Sequence, residues 1–211
     1  LGGKLIKTRS GTRHSKTYST SLPFAPGVDP AREFPQGFVY RPELIGPAEE
    51  AALLACVRPL PFREFEFHGY TGKRRVVSFG WQYDFSARHL RKADDIPDFL
   101  LALRRTAAAF AGLEPEALQH VLVTEYGVGA AIGWHRDKAV FGQVVGVSLL
   151  SPCVLRLRRK VGERKWERVN VNAEPRSAYL LTGPARSEWE HSIPPLDSPR
   201  YSITFRNLRE A

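Results

Sequence analysis

Between Pro47 and Leu60 the sequence PAEEAALLACVRPL repeats its apolar residues at helical spacing, so that Ala52, Leu53, Cys56 and Val57 are expected to form one buried stripe. Pro47 in the first turn, with Glu49 and Glu50 beside the positive end of the helix dipole, marks the start. The same period returns from Ile96 to Ala111. There Phe99, Leu100, Leu103, Ala107 and Phe110 make an apolar face and Gly112 supplies the stop. From His120 onward the period shortens to two: HVLVTEY, QVVGVSLL, VLRLRRK, KWERVNV, SAYLLT, SEWEHSI and RYSITFRN read as short strands separated by turn residues. Such a run of strands after two helices predicts an α+β fold, a β-sandwich or jelly roll with supporting helices on one face contributed by the N-terminal half. In VLRLRRK, Leu155 and Leu157 point inward and Arg156 and Arg158 outward.

Composition narrows the class. A chain of 211 residues with 43% hydrophobic content fits one globular domain that needs neither disulfides nor a structural metal. The longest apolar runs, Phe99 to Leu103 and Val144 to Leu150, fall far short of the roughly 20 residues that span a bilayer, so no membrane partner is expected. Lys4, Lys7, Arg9, Arg13 and Lys16 lie in a segment without acids. Residues 1–25 therefore read as a basic, solvated arm able to touch an anionic polymer, and residues 26–211 as a single domain. No apolar block of signal-peptide length follows these charges, so secretion is not implied; with no Met in the chain, Leu1 is not read as the natural start. Cys56 and Cys153 have no metal or redox spacing around them and read as two buried thiols in a reducing cytoplasm. The formal charge is +9, and a second basic cluster runs from Arg156 to Arg168, interrupted by Glu163 and Glu167. This charge favours nucleic acid as partner, although a solvated strand face explains the cluster equally well.

Of the six histidines, His14 lies in the arm, His68 and His89 in loop sequence, and His120 opens a strand with no partner near it. His135-x-Asp137 and His191 remain. On an extended strand the residues at i and i+2 face one side, so His135 and Asp137 can chelate one ion while His191 arrives from another strand, with Trp134 and Arg136 facing away. Two imidazoles and one carboxylate are the donor set of non-haem Fe(II) oxygenases. Near the C-terminus Arg200, Ser202, Thr204 and Arg206 alternate with Tyr201, Ile203 and Phe205. Two arginines on one strand face suit a dicarboxylate co-substrate; the alternative is an edge strand with surface arginines.

The segments EYGVGAAIGWHRDK, LLTGPARSEWEHSI and RYSITFRNLR, in that order, resemble the AlkB family of iron(II) and 2-oxoglutarate-dependent dioxygenases, closely over the last ninety or so residues and loosely before them. The resemblance implies a double-stranded β-helix over about 119–209, preceded by helical support and a nucleotide-recognition lid over about 45–118. It implies Fe(II) held by His135, Asp137 and His191, with 2-oxoglutarate and O2 as co-substrates and no catalytic residue beyond the metal ligands. Arg200 and Tyr126 match the residues that hold the distal carboxylate, and Arg206 matches a second arginine near the metal. Thr124 and Ser202 stand where the best-known bacterial member has asparagines, and both still hydrogen-bond. Lys138 and Ala139 replace an acidic position that helps select the base there; Lys138 either reaches a phosphate or is solvated.

In GKRRVVSFGWQYDF, Phe79, Trp81, Tyr83 and Phe85 fall on one side of an extended segment. Phe79 and Phe85 read as core, Trp81 and Tyr83 as rings that stack an unpaired base. The resulting expectation is a monomeric, cytoplasmic demethylase that removes N-alkyl lesions from bases of DNA or RNA, single-stranded before duplex, releasing formaldehyde, succinate and CO2. Two alternatives stand beside it: the same chemistry on protein or small-molecule substrates, and a non-catalytic basic β-domain that binds nucleic acid.

Overall fold

A computed structural model describes residues 34–67, 70–84 and 89–209. The basic arm, His68 and Phe85 lie outside the described residues. Among the described residues, twelve strands make two antiparallel sheets. The strands are β1 (Phe38–Arg41), β2 (Arg63–Phe67), β3 (Tyr70–Asp84), β4 (His89–Lys92), β5 (Leu118–Tyr126), β6 (Ile132–His135), β7 (Phe141–Leu149), β8 (Cys153–Lys160), β9 (Trp166–Ala173), β10 (Ala178–Leu181), β11 (Glu190–Ile193) and β12 (Arg200–Leu208). The large sheet runs β1-β10-β7-β12-β5-β3-β2, with β4 paired to β3; the small one runs β6-β11-β8-β9.

Two apolar layers hold this together. Helices α1 (Pro47–Val57) and α2 (Asp98–Ala111) pack on one face of the large sheet, over Val121, Val123, Val145, Val147, Ile203 and Phe205. The other face packs on the small sheet through Tyr126, Val144 and Leu181 against Leu155, Leu157, Val171 and Ile193. This is the jelly-roll arrangement, with helices buttressing one side as the periodicity predicts.

Details differ from the pattern in the sequence. The buried stripe of α1 is Glu50, Leu53, Leu54 and Val57, whereas Ala52 and Cys56 are exposed. A carboxylate takes the inner position because Glu50 accepts the Leu150 N–H at 2.9 Å and a hydrogen bond from Arg176 Nη1 at 3.2 Å, so its charge is satisfied where it is buried. Only Cys153 of the two thiols is buried. Helix α2 begins after Pro97, leaving Ile96 outside it, and ends at Gly112 in the left-handed conformation (φ 67°). SEWEHSI is not one strand: a short helix α3 (Gly183–Ser187) precedes β11, so helices are not confined to the first half, and that half contributes four strands of its own.

Strand β3 belongs to two pairings. It lies along β5 as far as Gly80, then pairs with β4. Gly80 makes the change with φ +76°, where a Cβ would sit 2.0 Å from the Gln119 carbonyl oxygen. The kink breaks the period of two, so Phe79 enters the core while Trp81 is half-buried elsewhere.

Candidate metal centre

His135 is the last residue of β6 and lies directly across from His191 of β11, their ring centroids 4.2 Å apart. Asp137 lies two residues past the strand end, so a strand does not carry both members of His-x-Asp as the spacing suggests; the loop after β6 turns the carboxylate back. One donor atom from each of His135, Asp137 and His191 nevertheless falls within 4.8 Å of the others. His135 Nδ1–H donates to the Gly133 carbonyl at 2.9 Å, which leaves Nε2 with its lone pair. Burial, then the facing His135, lowers His191 to about 3, so it is a neutral donor at physiological pH. Burial opposes the charge on Asp137, but Arg206, His191, His135 and Arg186 together hold its carboxyl well below the usual range. Its Oδ1 accepts from Arg206 Nη2 at 3.0 Å, and the buried Oδ2 has no hydrogen-bond partner among the described residues. An ionised, half-satisfied carboxylate between two imidazoles, one of them the neutral His191, fits a divalent cation.

The facing wall comes from the large sheet. Strand β12 lies between β5 and β7 and is not an edge. Arg200, Ser202, Thr204 and Arg206 face the cavity, while Tyr201, Ile203 and Phe205 enter the helix-side core. Arg200 is 1% exposed, its Nε and Nη2 donating to Ser148 Oγ at 3.2 and 2.9 Å and its guanidinium 4.9 Å from the Tyr126 ring centroid. Arg200 Nη1 is buried without a partner among the described residues. The Tyr126 hydroxyl and Ser202 Oγ are 3.2 Å apart, and Thr124 lines the same wall. The arrangement presents an unspent guanidinium N–H and hydroxyls to a carboxylate, about the chemistry a dicarboxylate needs.

Several residues here carry no evident sign in the sequence motifs. Ser148 fixes Arg200. Tyr179 is half-buried, and desolvation of its phenol, then Tyr126 and Asp137, push it up, so it stays a neutral donor. His120 does have a partner: its Nδ1 lies 3.3 Å from Arg206 Nη1, its ring 4.7 Å from that of Phe141, and burial followed by Arg206 keeps it well below its ordinary pKa. Counting back by two from Tyr126 through Thr124 and Leu122 reaches His120 on the cavity side, a signal the period of β5 contains. Arg186 of α3 donates through Nη2 to the carbonyls of Lys138 and Phe141, 2.7 Å each, and so pins the loop that carries Asp137.

Apart from Ser148 and Arg186, which act from behind the wall, these groups line one cavity of about 1570 Å³. Along the exposed part of its lining Lys138 Nζ lies 5.3 Å from the centroid of Tyr83, amid Arg63, Arg91 and Lys92 and the acids Glu64, Asp94 and Asp95, while Arg74 lies across from Tyr126. Trp81 is not among the residues that line the cavity, whereas Tyr83 is. Trp134 packs under Arg156 and Arg158, and Arg136 donates to the Ser187 carbonyl, both turned from the ligands.

A jelly roll with a His-Asp-His cluster in one sheet and a buried arginine opposite it defines a non-haem Fe(II) oxygenase that takes an oxo-acid co-substrate. The sequence profile of the 2OG-Fe(II) oxygenase superfamily matches residues 37–206, and the chain belongs to that family. Its chemistry uses Fe(II), 2-oxoglutarate and O2, and it is an oxygenase of the AlkB type. Over 201 residues it is 26% identical to the alkylated DNA repair protein ALKBH8 homolog of Arabidopsis thaliana, covering 82% of this chain and 56% of that protein. It is 30% identical over 158 residues to the mitochondrial alpha-ketoglutarate-dependent dioxygenase alkB homolog 7 of Bos taurus, covering 74% of this chain and 66% of that one. The chain thus spans little more than half the length of the plant relative. The fold matches the solved structure of OsALKBH1 with a TM-score of 0.65 at 16% identity, over 83% of this chain and 99% of that one. It also matches a prolyl-4-hydroxylase from Pseudomonas putida, TM-score 0.57 at 15% identity, over 83% and 94% of the two chains.

Proposed function

We propose that the protein removes N-alkyl groups oxidatively from nucleic-acid bases, releasing formaldehyde, succinate and CO2. The observation that carries this reading is the cavity itself. Its inner end holds the three metal donors and Arg200, and the exposed part of its lining holds an aromatic ring with a lysine over it, amid further cations. An aromatic face grips a base of any sequence, while cations hold the backbone beside it. At about 1570 Å³ the cavity exceeds what a small dicarboxylate alone fills and leaves room for a base taken out of its stack. The name of the plant relative, an alkylated DNA repair protein, supports the same reading.

In this reading His135, Asp137 and His191 hold the iron. Bound iron supplies, with 2-oxoglutarate and O2, the oxidising power that hydroxylates the carbon on the base nitrogen. The chain's own residues do the rest. Arg200 Nη1, with the hydroxyls of Tyr126 and Ser202 and the adjacent Thr124, takes the distal carboxylate of 2-oxoglutarate. Arg206 fixes Asp137 through Oδ1 and so aims Oδ2 at the metal. Tyr83 stacks the base and Lys138 meets a flanking phosphate, in the resting protein shielding the ring. No dedicated side-chain acid or base is needed afterwards, because the N–CH2OH hemiaminal collapses spontaneously: its C–N bond breaks, the carbon leaves as formaldehyde, and the hydroxyl proton passes to the base nitrogen or to water.

Anaerobic reconstitution with Fe(II), followed by formaldehyde and succinate assays on methylated single-stranded DNA, duplex DNA and RNA, tests this. Succinate coupled to formaldehyde on one nucleic acid is the expected result. Succinate released with no base repaired on any of them would overturn it in favour of a protein or small-molecule substrate.

A further inference from the structure

The outer face of the small sheet, on the far side from the inter-sheet core, carries the basic cluster that the cavity leaves unused. Arg156 and Arg158 of β8 point outward, flanked in register by Asn170 and Arg168 of β9 and by Ser192 and Glu190 of β11. Two indoles hold them. Trp134 of β6 lies 5.1 and 4.3 Å from the Arg156 and Arg158 guanidiniums, and Trp166 of β9 lies 4.4 Å from Arg158. Each arginine spends its Nε sideways on its β11 neighbour, Arg156 on Ser192 Oγ at 3.0 Å and Arg158 on Glu190 Oε2 at 2.6 Å. Their terminal Nη nitrogens make no hydrogen bond to the described residues. Stacked on the indoles and tethered at the side, both forks are fixed with their donors outward, so little side-chain entropy is lost when an anion binds.

The charge on this face is one-sided. Arg159 and its cross-strand partner Glu167, one residue out of phase, belong to the other side of the sheet, where Arg159 pairs with Glu167 and Glu188 at 2.8 and 2.7 Å. Among the paired residues of β8, β9 and β11, Glu190 is the carboxylate beside Arg156, Arg158, Lys160 and Arg168. Residues at i and i+2 of a strand stand about 6.6–6.8 Å apart, so the two forks form a short row rather than a single anion pocket. A row of rigid forks suits a chain of phosphodiesters. Both tryptophans are half-buried and covered by guanidiniums, so the face offers no bare aromatic to insert into a lipid surface. Trp134 also reaches the cavity rim one residue before His135, joining this face to the metal centre.

We propose that the outer face of the small sheet is a second contact surface, binding the sugar-phosphate backbone of a single strand beside the base held in the cavity. The choice of polymer rests on the nucleic-acid reading above, and the test therefore measures binding without turnover. Fluorescence anisotropy of a short unmodified single-stranded DNA oligonucleotide is followed across a salt series with metal-free protein. The variants are Arg156→Ala/Arg158→Ala and, at exposed positions where folding is not at risk, Lys160→Glu/Arg168→Glu. Loss of two phosphate contacts predicts a log–log salt slope shallower by about 1.4 and affinity lower by about 25-fold at 0.1 M salt for the alanine pair. The charge reversals should lose at least as much. Unchanged affinity and slope in both pairs would overturn the proposal. So would tighter binding to vesicles of phosphatidylserine and phosphatidylcholine that the same substitutions abolish. Variant-sensitive DNA binding by a protein that demethylates no nucleic acid would leave this surface standing while removing the proposed reaction.

Discussion

Replacing Arg206 with methionine keeps the side chain's length and removes its charge. In the native protein Arg206 Nη2 donates to Asp137 Oδ1 at 3.0 Å, and both side chains are 10% exposed. The other oxygen of Asp137 already lacks a partner among the described residues, so Arg206→Met leaves an ionised carboxylate buried between two imidazoles with neither oxygen satisfied. Breaking a buried pair on one side costs about 3–5 kcal/mol. For a domain of this size that is a fall in Tm of about 10 °C in metal-free protein. A divalent cation restores the missing counter-charge at Asp137, so the deficit should shrink when Mn(II), a redox-silent stand-in for Fe(II), is added. Differential scanning fluorimetry with chelator and with Mn(II), on both proteins, measures the two gaps. A gap equally large under both conditions would refute the coupling between the arginine and the metal, and a metal-free gap near zero would refute the burial argument itself.

Three further outcomes follow from the same geometry. His120 is kept neutral by burial and by Arg206, with Asp137 opposing, so below about pH 6.5 the unfolded chain takes up a proton that the native one refuses. Stability is then lost as pH falls, by up to about 1.4 kcal/mol per pH unit for each such histidine; with His191 still contributing, His120→Gln should make urea-derived stability fall less steeply between pH 7 and 5, and parallel profiles would contradict this. A Cβ on Gly146 would lie 2.3 Å from Tyr179 Cζ, so Gly146→Ala must displace that ring toward the cavity. It should raise the KM for 2-oxoglutarate several-fold while costing about 1–3 kcal/mol of stability. Glu50→Ala strands the Leu150 N–H and frees Arg176, and should lower the urea midpoint by an amount worth about 2–3 kcal/mol without moving metal affinity; a change in Mn(II) binding would sink that separation.

The site was legible wherever one element holds its residues at a fixed period. Arg200 to Arg206 alternate with core residues because β12 has two different faces, and the sequence writes both. Residues whose role depends on cross-strand register were not legible. Ser148 is an ordinary polar residue in an apolar run until β7 is laid beside β12, where it falls opposite Ser202 and under Arg200. Glu50 reads as a helix-start carboxylate and no more, because the partners that bury it lie 100 and 126 residues away. Gly80, with its positive φ, lies between Phe79 and Trp81, so the alternation that places Phe79 in the core does not carry through to Trp81. Helix α3, five residues long, is too short to show a period at all.

The two faces of β12 also set how this protein can change over time. Inserting or deleting a single residue between Tyr201 and Phe205 would exchange the faces over the rest of the strand, sending Arg206 into the packed helices or Ile203 into the cavity. Substitutions can be tried one position at a time here, but length cannot drift. Variation in loop length across relatives should therefore gather in the connections on either side of this strand and stop at its ends.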